Sequence, residues 1–264
     1  MSLRGIVRSL VSPAQRRKIR AMIEAGTWPF VKPLGSWRSR GLNARLPFTG
    51  GRNWRSAIPF DLHNAIQRGK HQQSYRDLPF LKHPIDQALY SALIWKLKPK
   101  TIIEIGSHAG GSALWLADQM RTFQIDGRIV SIDLVPPQPP YQRAEIQFLR
   151  GDANRLADCL SPEFLSSLPR PLLVIEDAGH EYAATLAVLR FFDPLIRPGE
   201  YIVVEDGFLS EFRSGSRLDG GPCRAISQFL SERIGVYEID TSYCDHFGHN
   251  VTGNTNGYLR RIAP

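Results

Sequence analysis

The sequence predicts an α/β fold built on an open, mostly parallel sheet with helices on both faces. Three observations carry that prediction. Residues 171–207 read strand, helix, strand: LLVIE and YIVVE are short, β-branched-rich apolar runs, the pattern of parallel strands covered on both faces. The stretch TIIEIG, followed by the glycine-rich turn SHAGGS and a helix through Leu114, Leu116 and Ala117, is a second unit of the same kind. The runs RIVSID, EIQFLRG, VYEID and NGYLRRI then continue the alternation of strand and helix until the end, where two strands follow one another. Together they imply a Rossmann-like, seven-stranded sheet whose last strand is antiparallel, preceded by a basic N-terminal helical arm.

The arm is set apart by charge. Residues 1–58 hold 12 of the 33 Lys and Arg but one of the 25 acids, so the formal net charge of +8 belongs to this segment. Residues 3–24 place Leu3, Ile6, Val7 and Leu10 beside arginines, and Ile19, Met22 and Ile23 after Arg16-Arg17-Lys18, with Pro13 separating two short helices. Such a segment suits peripheral contact with an anionic membrane face, where each cation contributes about 1 kcal/mol, or contact with a partner subunit, or plain solvation. Trp28, Trp37 and Trp54 follow in an irregular stretch without a nucleic-acid-binding signature, so no nucleic-acid partner is expected. The boundary is expected near residue 70, giving an arm over 1–69 and one sheet domain over 70–264.

No apolar run approaches the roughly 20 residues that span a bilayer, and Arg8 interrupts the N-terminal apolar stretch, so no secretory signal is expected. Cys159, Cys223 and Cys244 are widely spaced and odd in number, which argues against a disulfide framework and for a reducing cytosol.

Within the domain, Pro84 starts a helix with an apolar stripe of Ile85, Leu89, Leu93 and Leu97. The turn after TIIEIG reads Glu104-x-Gly106-x-x-x-Gly110-Gly111, with His108 where a dinucleotide fingerprint has its middle glycine, so a nicotinamide cofactor fits poorly. RIVSID ends in Asp133, placed to accept hydrogen bonds from ribose hydroxyls. Asp152 in GDAN is read both as the cap of a helix through Leu156, Leu160 and Phe164 and as a cofactor contact. LLVIE runs into Asp177 and His180, and YIVVE ends in Glu205-Asp206; ligands of an open parallel sheet collect outside such strand ends. His246 and His249 beside Asp245 read as part of a polar loop over 241–254, and Arg213 and Arg217 as loop arginines that can meet an anionic substrate.

These residues resemble the class I S-adenosylmethionine-dependent methyltransferases. LKHPIDQALYSALIWKLKPKTIIEIGSHAGGSAL, VIEDAGHEY, VVEDG and TNGYLRRI are similar, more narrowly, to the cephalosporin hydroxylase family, which includes rhamnosyl O-methyltransferases, and to metal-dependent macrolide-sugar O-methyltransferases. The resemblance implies that Glu104, Gly106, Ser107, Gly110, Ser112, Asp133, Asp152 and Asp177 contact S-adenosylmethionine. It also implies that Asp177, Glu205 and Asp206 bind Mg²⁺, and that His180, three residues after Asp177, is the general base. Because the strand ends Glu176-Asp177, a one-residue shift makes Glu176 the alternative ligand.

Carboxylates at an open strand edge suit Mg²⁺, which prefers hard oxygen ligands. A histidine near its ordinary pKa of about 6.5 suits removal of a hydroxyl proton. The expected activity is therefore Mg-dependent methyl transfer from S-adenosylmethionine to a hydroxyl of a sugar or glycoconjugate, a lipid-linked or anionic acceptor matching the basic arm. The alternatives are an oxidative enzyme of the hydroxylase type and a non-catalytic binding module on the same sheet, separated by a cofactor screen.

Overall fold

The computed structural model describes Leu46, residues 51–211 and residues 218–264. The helices expected over 3–24, together with Trp28, Trp37, Arg213 and Arg217, lie outside the described residues.

The domain opens with helix α1 (Phe60–Lys70) and a small hairpin of β1 (Ser74–Tyr75) and β2 (Leu78–Pro79). Arg76 and Asp77 between them both have positive φ, as a two-residue hairpin turn requires. Helix α2 (Pro84–Leu97) has Pro84 in its first turn, where the missing amide costs nothing. It ends on Lys98 in the left-handed conformation, ahead of Pro99.

The sheet strands are β3 (Thr101–Ile105), β4 (Arg128–Asp133), β5 (Ile146–Arg150), β6 (Leu172–Glu176), β7 (Tyr201–Val204), β8 (Tyr237–Ile239) and β9 (Tyr258–Arg261), in the order β5-β4-β3-β6-β7-β9-β8. Every pairing from β5 to β7 is parallel, and β9 is antiparallel to both neighbours, as the closing pair of consecutive strands predicts. The order reverses at β3, which pairs with β4 on one side and β6 on the other, and ligand crevices of such sheets form at that point.

Strand parity divides the core. Ile102, Ile129, Leu173, Ile175 and Val203 pack with α2 and with α3 (Gly111–Thr122) through Leu89, Leu93, Ile94 and Leu116. Ile103, Val130, Val174, Ile202 and Val204 face α5 (Tyr182–Phe192) and α6 (Gly221–Glu232) through Leu186, Leu189, Ile226 and Phe229. Burial of strand residues on both faces is the reason these segments read as apolar runs and not as alternating ones.

Two expectations change. The spacing of Leu156, Leu160 and Phe164 predicts one helix, but the chain forms a 3-10 turn at Leu156–Asp158 and a separate α4 (Pro162–Ser166). Ser161-Pro162 restarts it: Ser161 Oγ accepts the Phe164 amide at 3.2 Å, and Pro162 brings no amide of its own. The stretch expected as a polar loop, 241–254, contains the short α7 (Thr241–Cys244) and then dives inward. Asn250, Thr252, Asn254, Thr255 and Asn256 are all fully buried.

The described part of the arm packs on this domain. Trp54 is fully buried in the core, and Arg52 donates to both oxygens of Asp245 at 2.9 and 2.8 Å.

Candidate active site

The carboxyl ends of β3 to β7 surround a cavity of about 650 Å³, lined among others by Gly106, Asp133, Asp152, Asp177, His180 and Asp206. At one end, the turn after β3 crosses β6 so closely that a Cβ on Gly106 would sit 2.1 Å from the Asp177 carbonyl oxygen. With φ at +104°, only glycine is comfortable there. Asp133 Oδ2 accepts the Ser107 and His108 amides at 2.9 and 3.0 Å, which ties the end of β4 to this turn. Gly110, also at positive φ, is the N-cap of α3, and Ser112 lies in its first turn beside the cavity. Glu104 is fully buried; its Oε2 accepts from Ser131 at 2.6 Å, whereas its Oε1 has no hydrogen-bond partner. Asp152 accepts the Asn154 amide at 2.9 Å, so it closes a turn rather than capping a helix, and it also faces the cavity.

At the other end stand the acids. Parity decides which way each points. Asp177 follows Ile175, and Glu205 follows Val203, on the sheet face covered by α2; Glu104 follows Ile102 on that same face. Glu176 belongs to the opposite face, where Thr185 Oγ1 donates to it at 3.1 Å, and burial pushes its carboxyl up to about 7. Of the Glu176-Asp177 pair, it is therefore Asp177 that faces the cavity.

One lysine joins the three acids of the α2 face. Lys82 Nζ donates to Asp177 Oδ2 at 2.8 Å and to Glu205 Oε1 at 2.6 Å, and lies 3.6 Å from Glu104 Oε1. Burial alone would lower this ammonium, but Asp177, Glu205 and Glu104 hold it well above the usual lysine range. Tyr90 donates to the same Glu205 oxygen at 2.7 Å. Burial, reinforced by Asp177, pushes the Glu205 carboxyl well up. A second lysine, Lys70 at the end of α1, donates to both oxygens of Asp206 at 3.1 and 3.0 Å. Burial opposes ionisation of Asp206, yet Lys70 and His180 bring its carboxyl below the usual range.

Asp177, His180 and Asp206 each offer one donor atom within 4.8 Å of the others, a spacing one metal ion can bridge. His180 Nε2 lies 3.5 Å from Asp206 Oδ2, while its buried Nδ1 has no hydrogen-bond partner. Both His180 and Asp206 have positive φ, backbone that non-glycine residues adopt at a cost and that recurs at functional sites. Asp206 is held there by Asn254, whose Oδ1 accepts its amide at 3.2 Å. His249 instead docks the N-terminal segment, its Nε2 lying 3.1 Å from the Asn53 carbonyl oxygen.

The family model for rhamnosyl O-methyltransferase/CmcI proteins matches residues 68–262. The chain belongs to this family. A rhamnosyl O-methyltransferase of Mycobacterium leprae is 31% identical over 184 residues, covering 69% of this chain and 80% of the relative. Its counterpart in Mycobacterium bovis is 26% identical over 192 residues, with coverage of 71% and 78%. Among solved structures, CmcI with Mg and SAM is similar with a TM-score of 0.57 and 29% identity, covering 73% of this chain and 78% of that one. CmcI with SAH gives a TM-score of 0.53 at 26% identity, with coverage of 72% and 81%. Sequence reasoning named the family members' acids but assigned no role to Lys70, Lys82, Tyr90 or Asn254. Lys82 stands inside the stretch LKHPID, two residues ahead of α2.

Proposed function

We propose that this chain is an S-adenosylmethionine-dependent O-methyltransferase that transfers a methyl group to a hydroxyl of a sugar or glycoconjugate, with Mg²⁺ as its metal. One juxtaposition supports the reading most: a single cavity reaches from the glycine turn and Asp133 to Asp177, His180 and Asp206.

The residues fit both groups. On the cofactor side, Asp133 offers carboxylate oxygens to ribose hydroxyls, Gly106 lets the turn that lines the cavity lie against β6, and the buried Glu104 stands behind that turn with its Oε1 3.6 Å from the Lys82 ammonium. Ser107, Ser112 and Asp152 line the same cavity, and Gly110 caps the helix that carries Ser112. On the metal side, Asp177 and Asp206 supply hard oxygens beside His180, and Glu205 stands behind them on Lys82 and Tyr90. When bound, the cofactor supplies an electrophilic methyl and the metal lowers the pKa of an acceptor hydroxyl.

The chain's own part is to orient the acceptor and take its proton. His180 accepts that proton at Nε2, and Asp206, 3.5 Å away, stabilises the imidazolium formed. Lys70 holds both oxygens of Asp206, so the carboxylate does not turn away from the histidine. Of residues 1–69, expected as a basic arm, Trp54 and α1 belong to the domain; for the basic stretch ahead of them we keep the reading of a segment able to touch an anionic membrane face, which cosedimentation with anionic vesicles tests.

Calorimetry with S-adenosylhomocysteine, with and without Mg²⁺, followed by methyl transfer to rhamnosyl glycosides, tests the reading. Binding of the nucleoside and metal-stimulated transfer are expected. Absence of any nucleoside binding overturns it.

A further inference from the structure

We propose that Lys82 and Lys70 are built-in counter-ions of the acid cluster: they hold its carboxylates in place before any ligand arrives, and they lower its affinity for a divalent ion by competing for the same carboxylates. The inference rests on the reading that this cluster takes a divalent ion.

Glu104, Asp177, Glu205 and Asp206 arrive from three strands of the sheet, and Glu104, Glu205 and Asp206 are nearly or fully buried. Carboxylates gathered out of water repel one another and need positive charge nearby. Both cations that supply it come from outside the sheet: Lys82 from the step into α2, Lys70 from the last residue of α1. Neither is a surface lysine that has swung inward. Their side chains are 1% and 7% exposed, and each ammonium lies 5.9 Å from an aromatic ring centre, Tyr90 for Lys82 and Phe208 for Lys70.

Their partners matter as much as their burial. An ammonium has three N–H donors, and Lys82 directs them at Asp177 and Glu205 with Glu104 just beyond hydrogen-bond reach. Lys70 spans both oxygens of Asp206. The carboxylates gripped by the two lysines thus include Asp177 and Asp206, the same two whose oxygens lie with a His180 nitrogen within 4.8 Å. Lys82 takes only one oxygen of Asp177, which leaves the cluster open to a cation. A divalent ion is still attracted, but less strongly than to the same acids without their lysines. The arrangement keeps the site assembled in the empty protein and makes the metal exchangeable.

The test uses the full chain and Mn²⁺ as the probe, titrated by electron paramagnetic resonance, in the wild type, in Lys82→Met and in Lys70→Met. Methionine keeps an unbranched stem of similar length and removes the charge. In folded Lys82→Met, the Mn²⁺ dissociation constant is expected to fall at least about tenfold. Added Mg²⁺ is also expected to raise its melting temperature by more than it raises that of the wild type. A lysine that only fills space would lower the melting temperature and leave the Mn²⁺ constant where it was. Unchanged or weaker Mn²⁺ binding in folded Lys82→Met overturns the inference while leaving the proposed function standing. If Lys82→Met folds only with Mg²⁺ present, the inference is upheld; if it does not fold at all, the Mn²⁺ constant of Lys70→Met decides by the same criterion. Mn²⁺ binding to a variant but not to the wild type also upholds it. Absence of Mn²⁺ binding from all three proteins removes the metal from the proposed function, and this inference with it.

Discussion

Nε2 of His180 lies 3.5 Å from Oδ2 of Asp206, and Lys70 donates to both oxygens of that same carboxylate at 3.1 and 3.0 Å. The imidazole therefore has a fixed anion beside the nitrogen that faces it, the arrangement a general base needs to hold a proton after taking it. His180→Ala is expected to reduce methyl transfer by about 10²–10⁴-fold, the usual contribution of general-base assistance. Binding of S-adenosylhomocysteine, followed by calorimetry, should change little. Wild-type turnover in the variant removes His180 from the mechanism.

The two adjacent acids at the end of β6 should separate cleanly. Asp177→Asn is expected to abolish both the Mg²⁺ response and turnover, because it lies in the cluster with His180 and Asp206. Glu176→Gln should keep both, since that side chain faces Thr185 on α5. Its effect is on stability. A folded pKa of about 7 against an ordinary 4.5 means the folded state holds the proton more tightly. Stability from this group is thus full below about 4.5 and is lost as pH rises through 7, on the order of 3 kcal/mol in all. Chemical denaturation at pH 5 and pH 8 should show Glu176→Gln gaining on the wild type as pH rises. A difference independent of pH defeats the argument.

How much of this was legible beforehand follows from strand parity. The apolar runs, the βα turns and the strand-end acids all lie in consecutive residues, so the sheet and its acidic edge could be read directly. The choice between Glu176 and Asp177 needed one more fact, namely which sheet face each strand's even positions take, and that is set by the pairing of Glu104 with Ile175 across β3 and β6. Lys70 and Lys82 were out of reach for a different reason. They sit 136 and 123 residues from their partners Asp206 and Glu205, and no local pattern marks a lysine as buried. The buried asparagines and threonines of 250–256 misled for the same reason, since polar composition signals a solvated loop unless its distant partners are known.

Asp133 offers a test of the cofactor end. Asp133→Ala removes the acceptor of the Ser107 and His108 amides and, on the proposed function, that of the ribose hydroxyls. With each hydrogen bond contributing about 1 kcal/mol, affinity for S-adenosylhomocysteine should fall at least about tenfold. Mn²⁺ binding at the acid cluster should persist. Unaltered nucleoside affinity would place the ribose elsewhere.

Asp86 carries the last prediction, because it links the helix that presents Lys82 to the loop that holds Asp206. It is 1% exposed on the first turn of α2; its Oδ2 accepts the Gly253 amide at 2.8 Å, and its Oδ1 accepts from Tyr258 at 3.0 Å and from the Thr252 hydroxyl. Asp86→Ala leaves three donors without their acceptor in a buried place, at about 1–3 kcal/mol each before relaxation. A net loss of about 3 kcal/mol is expected, and for a domain of this size that lowers the melting temperature by about 6–12 °C. Asp86→Asn keeps an acceptor oxygen for the two hydroxyls and should lose about half as much. The consequence reaches the site because Asn254, one residue beyond Gly253, bonds the Asp206 amide. Loosening that loop frees Asp206 from its positive-φ conformation, so turnover of Asp86→Ala should fall even well below its melting temperature, while Asp86→Asn retains most of it. Melting curves and turnover at 15 °C check both halves. A variant that melts early yet turns over normally when cold would show that Asp86 supports the fold without positioning Asp206.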